Sequence, residues 1–200
     1  LKIVYFPLHL EPEVALMTIS PEFSNSLEAI SWLSKSLPVD HVLVVREHTL
    51  SFGVRSKWFY DTLLQIGNVR FAHPSVHSWD WIEKSVLVST ITGSAGFEGV
   101  YFRKPVLSYG KHQVINHLST VEYASDFCST KIAVKDLLSK KDGSEFELMH
   151  KALEKAISES TFMMEGFTDS YKDRKEKPEM ANACYQEILR YLEILKEDKE

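Results

Sequence analysis

The sequence predicts an α/β fold built on a doubly wound parallel sheet with helices on both faces. Two observations carry this. Short β-branched or aromatic runs alternate with segments of helical periodicity through the first two-thirds of the 200 residues. The composition, 44% hydrophobic and 12% aromatic, supplies enough apolar surface for a substantial core.

The elements follow in order. Lys2–Phe6 reads as a strand stopped by Pro7, which has no amide hydrogen to give a ladder. Across Glu22–Leu37, Phe23, Leu27, Ile30, Leu33 and Leu37 fall near one helical face, and Pro38 ends the run. His41–Arg46 is the second strand. Lys57–Ile66 is a helix with Trp58, Leu63 and Leu64 inward, closed by Gly67. Val69–Ala72 is a short third strand. Ser78–Ser85 is a short helix capped by Ser78, with Trp79 and Ile82 inward. Val86–Ile91 is the fourth strand, Gly96–Phe102 a helix and Pro105–Tyr109 the fifth strand. The expected order is 3-2-1-4-5, with room for a sixth strand. The last third changes character: Thr130–Ser139, Ser144–Ser160 and Asn182–Lys196 carry helical patterns, and the chain ends in the charged run KEDKE. The expected organisation is a sheet domain over 1–128 and a helical extension over 129–200.

Totals exclude several classes. A net charge of -5 and a pI near 5.9 argue against a dedicated nucleic-acid binder. Cys128 and Cys184 lie far apart, which excludes a disulfide framework and a cysteine-rich zinc site and fits a reducing, cytoplasmic compartment. No apolar run approaches the ~18 residues of a membrane span, and no charged-then-apolar leader opens the chain. The first residues are a strand-like run without an initiator Met, so the chain reads as a piece of a longer protein.

In a doubly wound sheet a ligand sits beyond the carboxyl ends of the strands, where the strand order reverses. Here that is between strands one and four. The loop after strand one is PLHLEPE, Pro7–Glu13; the loop after strand four is TGSAG, Thr92–Gly96; the loop after strand two, Glu47–Arg55, abuts both. These are the three most unusual loops in the chain, and topology gathers them. Thr92, Gly93, Ser94, Ala95 and Gly96 carry little side-chain volume and lead into a helix, so their amides and hydroxyls suit a phosphate or carboxylate. Glu98 can accept hydrogen bonds from a ribose diol; equally, it can be a favourable first-turn charge on an ordinary strand-to-helix turn. His48, preceded by Glu47, can donate to a phosphate or protonate a leaving group, or be satisfied by a neighbouring carbonyl. His9, Glu11 and Glu13 put an imidazole and two carboxylates in one loop, suited to acid–base work or to sugar hydroxyls, or simply solvated. Their spacing does not specify a metal, and none is expected. Ser75 or Ser78 can meet a nucleobase edge, although Ser78 as a cap is the simpler reading. His112 and His117 have no recognisable spacing.

YFPLHLEPE, VREHTLSFGVRS and TITGSAGFEGVYFRKPVLSYG, in that order over Tyr5–Gly110, together resemble the bacterial capsule polysaccharide biosynthesis family. Two positions depart from its pattern: Thr49 stands where a proline usually follows Glu-His, and Gly99 where a bulkier small residue is common. The resemblance implies a GT-B glycosyltransferase of two Rossmann-like halves, related to transferases of Kdo from a CMP donor. This chain looks like the carboxyl-terminal, donor-binding half. The implied substrate is a CMP- or UDP-linked sugar, with no tightly bound cofactor. The implied partners are the amino-terminal acceptor half, a glycan or glycolipid acceptor and a capsule assembly complex at the inner membrane. On this reading His48, Glu47 and His9 are catalytic. Thr92–Gly96, Glu98 and Ser75 hold the nucleotide, and Glu11, Glu13 and Arg55 meet the sugar. The helices of 129–200 would pack on this half or on the other. A GT-B nucleotide-sugar epimerase and a non-catalytic nucleotide- or glycan-binding module are the competing expectations. A response-regulator reading fails because the strand ends offer Pro7, Glu47 and Thr92 rather than an acidic cluster.

Overall fold

A computed structural model describes residues 1–160 apart from 12–13, 24–25, 74 and 141–142. The expected helix Asn182–Lys196 and Glu13 lie outside the described residues. The described strands are β1 (Lys2–Pro7), β2 (His41–Arg46), β3 (Val69–Phe71), β4 (Ser85–Thr90), β5 (Val106–Ser108) and β6 (Val121–Tyr123). They form one six-stranded sheet in the order β3-β2-β1-β4-β5-β6, with every pair parallel. The helices are α1 (Val14–Ile19), α2 (Ser26–Ser36), α3 (Lys57–Leu64), α4 (Ser78–Lys84), α5 (Ala95–Tyr101), α6 (Phe127–Ser139) and α7 (Gly143–Ser160). The chain divides into two compact units, Leu1–Leu153 and Glu154–Glu200.

Both sheet faces are covered, which is why the strands read as near-continuous apolar runs. Alternation along each strand sends Val4, Phe6, Leu43, Val45 and Leu87 to one face, against Ile30 and Leu33 of α2, Phe59 and Leu63 of α3, and Val134 and Leu137 of α6. Tyr5, Val44, Val88 and Val106 go to the other, against Ile82 of α4 and Val100 of α5. Arg46 and Tyr5 therefore belong to the same face, at the carboxyl ends of neighbouring strands. The Asp126 carboxylate starts α6 by accepting from the Ser129 amide, and the Ser129 hydroxyl accepts from the Asp126 amide in return.

Several local expectations are corrected. β1 runs through Pro7, because the ladder continues past it: Leu8 donates to the Arg46 carbonyl. The single helix expected from Glu22 is a short 3-10 turn, Pro21–Phe23, followed by α2, and α1 precedes both. Trp58 and Leu64 are exposed; the buried face of α3 is Phe59 and Leu63, one helical turn apart. His77 rather than Ser78 caps α4, its Nδ1 accepting from the Trp79 amide at 3.2 Å. Trp79 lies half exposed, edge-on to Phe102.

Candidate functional site

β1 and β4 are neighbours with antipodal continuations: the chain leaves β1 toward β2 and leaves β4 toward β5. Their loops must diverge, and the divergence opens a crevice of about 490 Å³ at the carboxyl edge of the sheet. His9 from the first loop, Glu47 and His48 from the second, and Gly93, Ser94, Ala95 and Glu98 from the fourth all line it. The convergence expected from topology alone is present.

His9 is buried, 6% exposed. Its Nε2 accepts from the amides of Ile91 and Thr92, each at 3.3 Å. Burial, then the nearby Arg55 and His48 charges, lower its pKa to about 4, so the ring is neutral at ordinary pH. With Nε2 accepting, the proton sits on Nδ1. His9 thus shapes the fourth loop from beneath rather than offering Nε2 to a substrate.

Glu47 is also committed. Its carboxylate accepts from the His48 amide at 2.8 Å, from Arg55 Nε at 3.0 and 3.2 Å, and from the Tyr60 hydroxyl at 2.7 Å. Burial and this donation raise the Tyr60 phenol to about 12. Arg55, its side chain 6% exposed, also donates to Glu11 at 2.5 Å and to the His9 carbonyl, and lies 4.8 Å over the Phe59 ring. Glu11 in turn accepts from the Ser26 hydroxyl at 2.5 Å. One guanidinium therefore ties the first loop to the second, and Glu11 and Arg55 support the crevice without lining it. His48 opens the 3-10 turn Thr49–Ser51; its Nδ1 accepts from the Leu50 amide at 3.3 Å, which leaves Nε2–H as the donor of the neutral ring.

The fourth loop explains its own small residues. A β-carbon on Gly93 would meet His9 Cε1 at 2.8 Å, one on Gly96 would meet Ile115 Cδ1 at 2.3 Å, and one on Gly99 would meet Val106 Cγ2 at 2.8 Å. These glycines admit the protein's own side chains. The loop amides are partly spent as well: Gly93 donates to Thr90 Oγ1 at 3.0 Å, and Thr92 to His9. Ser94 and Ala95 carry the amides left for a ligand. Glu98 is half-buried on the first turn of α5 and accepts from the Ser94 hydroxyl at 2.9 Å.

Other expected residues are not gathered. Ser75 is exposed and bonded to His73 at 2.7 Å, while Ser78 lines the crevice in its place. Thr92 and Gly96 lie behind the lining, and the Thr92 hydroxyl is buried without a hydrogen-bond partner. His112 and His117 are exposed and away from the lining. Two lining residues escaped the sequence reading, Tyr5 and Arg46. The available signal was a cation on the last position of a strand, after the apolar run Val42–Val45 and directly before Glu47.

Among the described residues, no group of three His, Cys, Asp or Glu side chains is arranged to hold a metal, and no helix is long and apolar enough to cross a membrane.

The sheet order, the flanking helices and the crevice at the reversal define a Rossmann-like domain of the kind found in GT-B glycosyltransferases and nucleotide-sugar epimerases. Three solved structures show the likeness. The glycosyltransferase of kitacinnamycin matches with a TM-score of 0.52 at 15% identity, over 78% of this chain and 40% of its own. The β-Kdo 2,7 transferase KpsC of Thermosulfurimonas dismutans matches with a TM-score of 0.51 at 21% identity, over 66% of this chain and 44% of its own. The UDP-GlcNAc 2-epimerase of Methanocaldococcus jannaschii, in complex with UDP-GlcNAc and UDP, matches with a TM-score of 0.54 at 11% identity, over 77% and 45%. The chain thus spans less than half the length of each. No protein-family model and no curated protein sequence matches the chain.

Proposed function

We propose that this chain is the donor-nucleotide-binding half of a glycosyltransferase, with a CMP-activated sugar favoured over a UDP-linked one. A surface polysaccharide or its lipid primer would be the acceptor. The observation that carries the reading is the convergence of three loops on one crevice at the strand-order reversal. The KpsC likeness and the three quoted motifs favour an acidic sugar on CMP; the epimerase complex supports a nucleotide diphosphate sugar in a domain of this fold.

In sugar transfer the departing nucleotide phosphate gains charge, and the protein's task is to meet it with donors already in place. The Ser94 and Ala95 amides and His48 Nε2–H take that role, while the Ser94 hydroxyl, donating to Glu98, holds that carboxylate in place. Glu98 holds the ribose diol. Glu47 positions His48 by accepting its amide hydrogen, and His9 holds the fourth loop in shape. The acceptor and its base come from the other half of the protein. The helices of 129–200 serve to pack on this half or against that one.

Titration calorimetry of CMP, UMP and UDP against the chain and its Ser94→Ala, His48→Ala and Glu98→Ala variants tests this. Each substitution is expected to weaken binding roughly tenfold. Affinities unchanged in all three would remove the crevice as the nucleotide site. Products formed from a nucleotide sugar by the longer protein distinguish transfer from epimerisation, and binding without turnover would favour a non-catalytic module.

A further inference from the structure

The crevice floor holds a phenol with no acceptor for its proton and, beside it, a guanidinium with donors to spare. Tyr5 is fully buried, lines the crevice and has a hydroxyl proton with no acceptor among the described residues. A buried polar group left unmatched is costly, and native proteins rarely keep one without a use. Phenylalanine would fill the same space against Val44 and Val88 without that cost. Beside the hydroxyl lies Arg46, half-buried, whose Nε donates to the Val76 carbonyl at 3.3 Å and whose guanidinium is a hydrogen-bonding neighbour of the Tyr5 oxygen. Its guanidinium is close enough to pull the Tyr5 phenol down against the rise that burial imposes.

Arg46 is the single Lys or Arg among the lining residues. The other nearby cation, Arg55, is consumed by Glu47 and Glu11. The remaining carboxylate in the lining, Glu98, accepts from Ser94 and makes no ion pair with Arg46 among the described residues. Among the described residues, Arg46 is the one uncommitted counter-charge that an anion entering the crevice meets. A phenol hydroxyl and a guanidinium side by side match an oxyanion, not a hydroxyl or an amide hydrogen.

We propose that Tyr5 and Arg46 form an oxyanion-binding subsite on the floor of the crevice, a specificity element separate from the Ser94 loop. The inference rests on the nucleotide-sugar reading of the crevice. The oxyanion is either the nucleotide phosphate or a carboxylate on the carried sugar, and the same pair serves both chemistries.

The test is titration calorimetry of the chain and its Tyr5→Phe and Arg46→Met variants. The probes are cytidine, CMP, uridine, UMP, UDP-glucose and UDP-glucuronate. Loss of roughly tenfold for the monophosphates with nucleoside affinity unchanged supports the subsite and assigns it to phosphate. Retained monophosphate affinity, with loss of a preference for UDP-glucuronate over UDP-glucose, supports it and assigns it to a sugar carboxylate. Tyr5→Phe is expected to melt no lower than the parent chain, because it deletes only an unmatched hydroxyl; a loss of binding at unchanged melting temperature therefore reports recognition, not unfolding. Arg46→Lys is expected to recover part of the affinity. If both variants bind every probe as the parent does while Glu98→Ala weakens the nucleotides, the subsite is overturned and the nucleotide reading stands. If the parent chain binds none of the probes, the subsite falls together with that reading.

Discussion

The amide of Thr92 donates to Nε2 of His9 across 83 residues of sequence, at 3.3 Å, and the Ile91 amide shares the same acceptor. The bond exists only while the imidazole is neutral. Its folded pKa, about 4, lies below the ordinary 6.5, so between those values the unfolded chain binds the extra proton. Stability from His9 is then complete above pH 6.5 and is lost as pH falls toward 4. The full contribution is about 3 kcal/mol. Urea titrations at pH 7, 6 and 5 are expected to show stability falling with pH in the parent chain and a shallower fall in His9→Gln. Parallel slopes in the two would show that His9 does not titrate in this window.

Arg55 joins two carboxylates and a carbonyl through one guanidinium. Replacing it by methionine strands Glu47 and Glu11 in a site where both are largely out of water. The expected cost is about 3–5 kcal/mol. Arg55→Lys is not expected to rescue it. A single ammonium cannot reach Glu47, Glu11 and the His9 carbonyl from one planar fork. Chemical denaturation midpoints measure both, and a lysine variant as stable as the parent would contradict the clamp.

Glu98 is expected to discriminate the ribose. Glu98→Ala should weaken CMP and UMP roughly tenfold and remove any preference over their 2′-deoxy counterparts. Competition binding with the two sugars reads this directly. A variant that keeps the preference would place the ribose elsewhere.

The glycines separate into two grades. At Gly110 an added β-carbon would sit 2.4 Å from the Ile91 carbonyl oxygen, which is backbone and cannot move aside; at Gly96 it would meet Ile115 Cδ1, the tip of a side chain that can turn. Gly110→Ala should therefore cost more than Gly96→Ala, with both losses about 1–3 kcal/mol. Thermal melts rank them, and the reverse order would mean that the Ile115 tip is locked in place.

Much of this was legible in advance. The alternating patterns predicted a parallel sheet, and the order 3-2-1-4-5, taken as that of a doubly wound fold, is the order found, with β6 added at the edge. The crevice followed from that order. Side-chain roles were less legible. His9 looked like a free acid–base group, and the ties of Glu47 to Arg55 and Tyr60 were not foreseen, because sequence shows residue types but not their partners. Trp58 and Leu64 looked buried because helical periodicity leaves the phase of a short helix open by a residue or two. The small residues of the fourth loop looked like room for a ligand, and Gly93 and Gly96 also make room for His9 and Ile115.

By itself the sequence determined what local chemistry can determine: which runs extend, which coil, and that a parallel sheet with buried faces results. Hydrophobic period and turn residues act over a few neighbours and need no distant partner. Only the tertiary structure decided which charges cancel. Arg55 is spent on Glu11 and Glu47, and Arg46 is left beside the unmatched Tyr5 hydroxyl, because pairing of buried charges depends on distances between strands that the chain order does not contain.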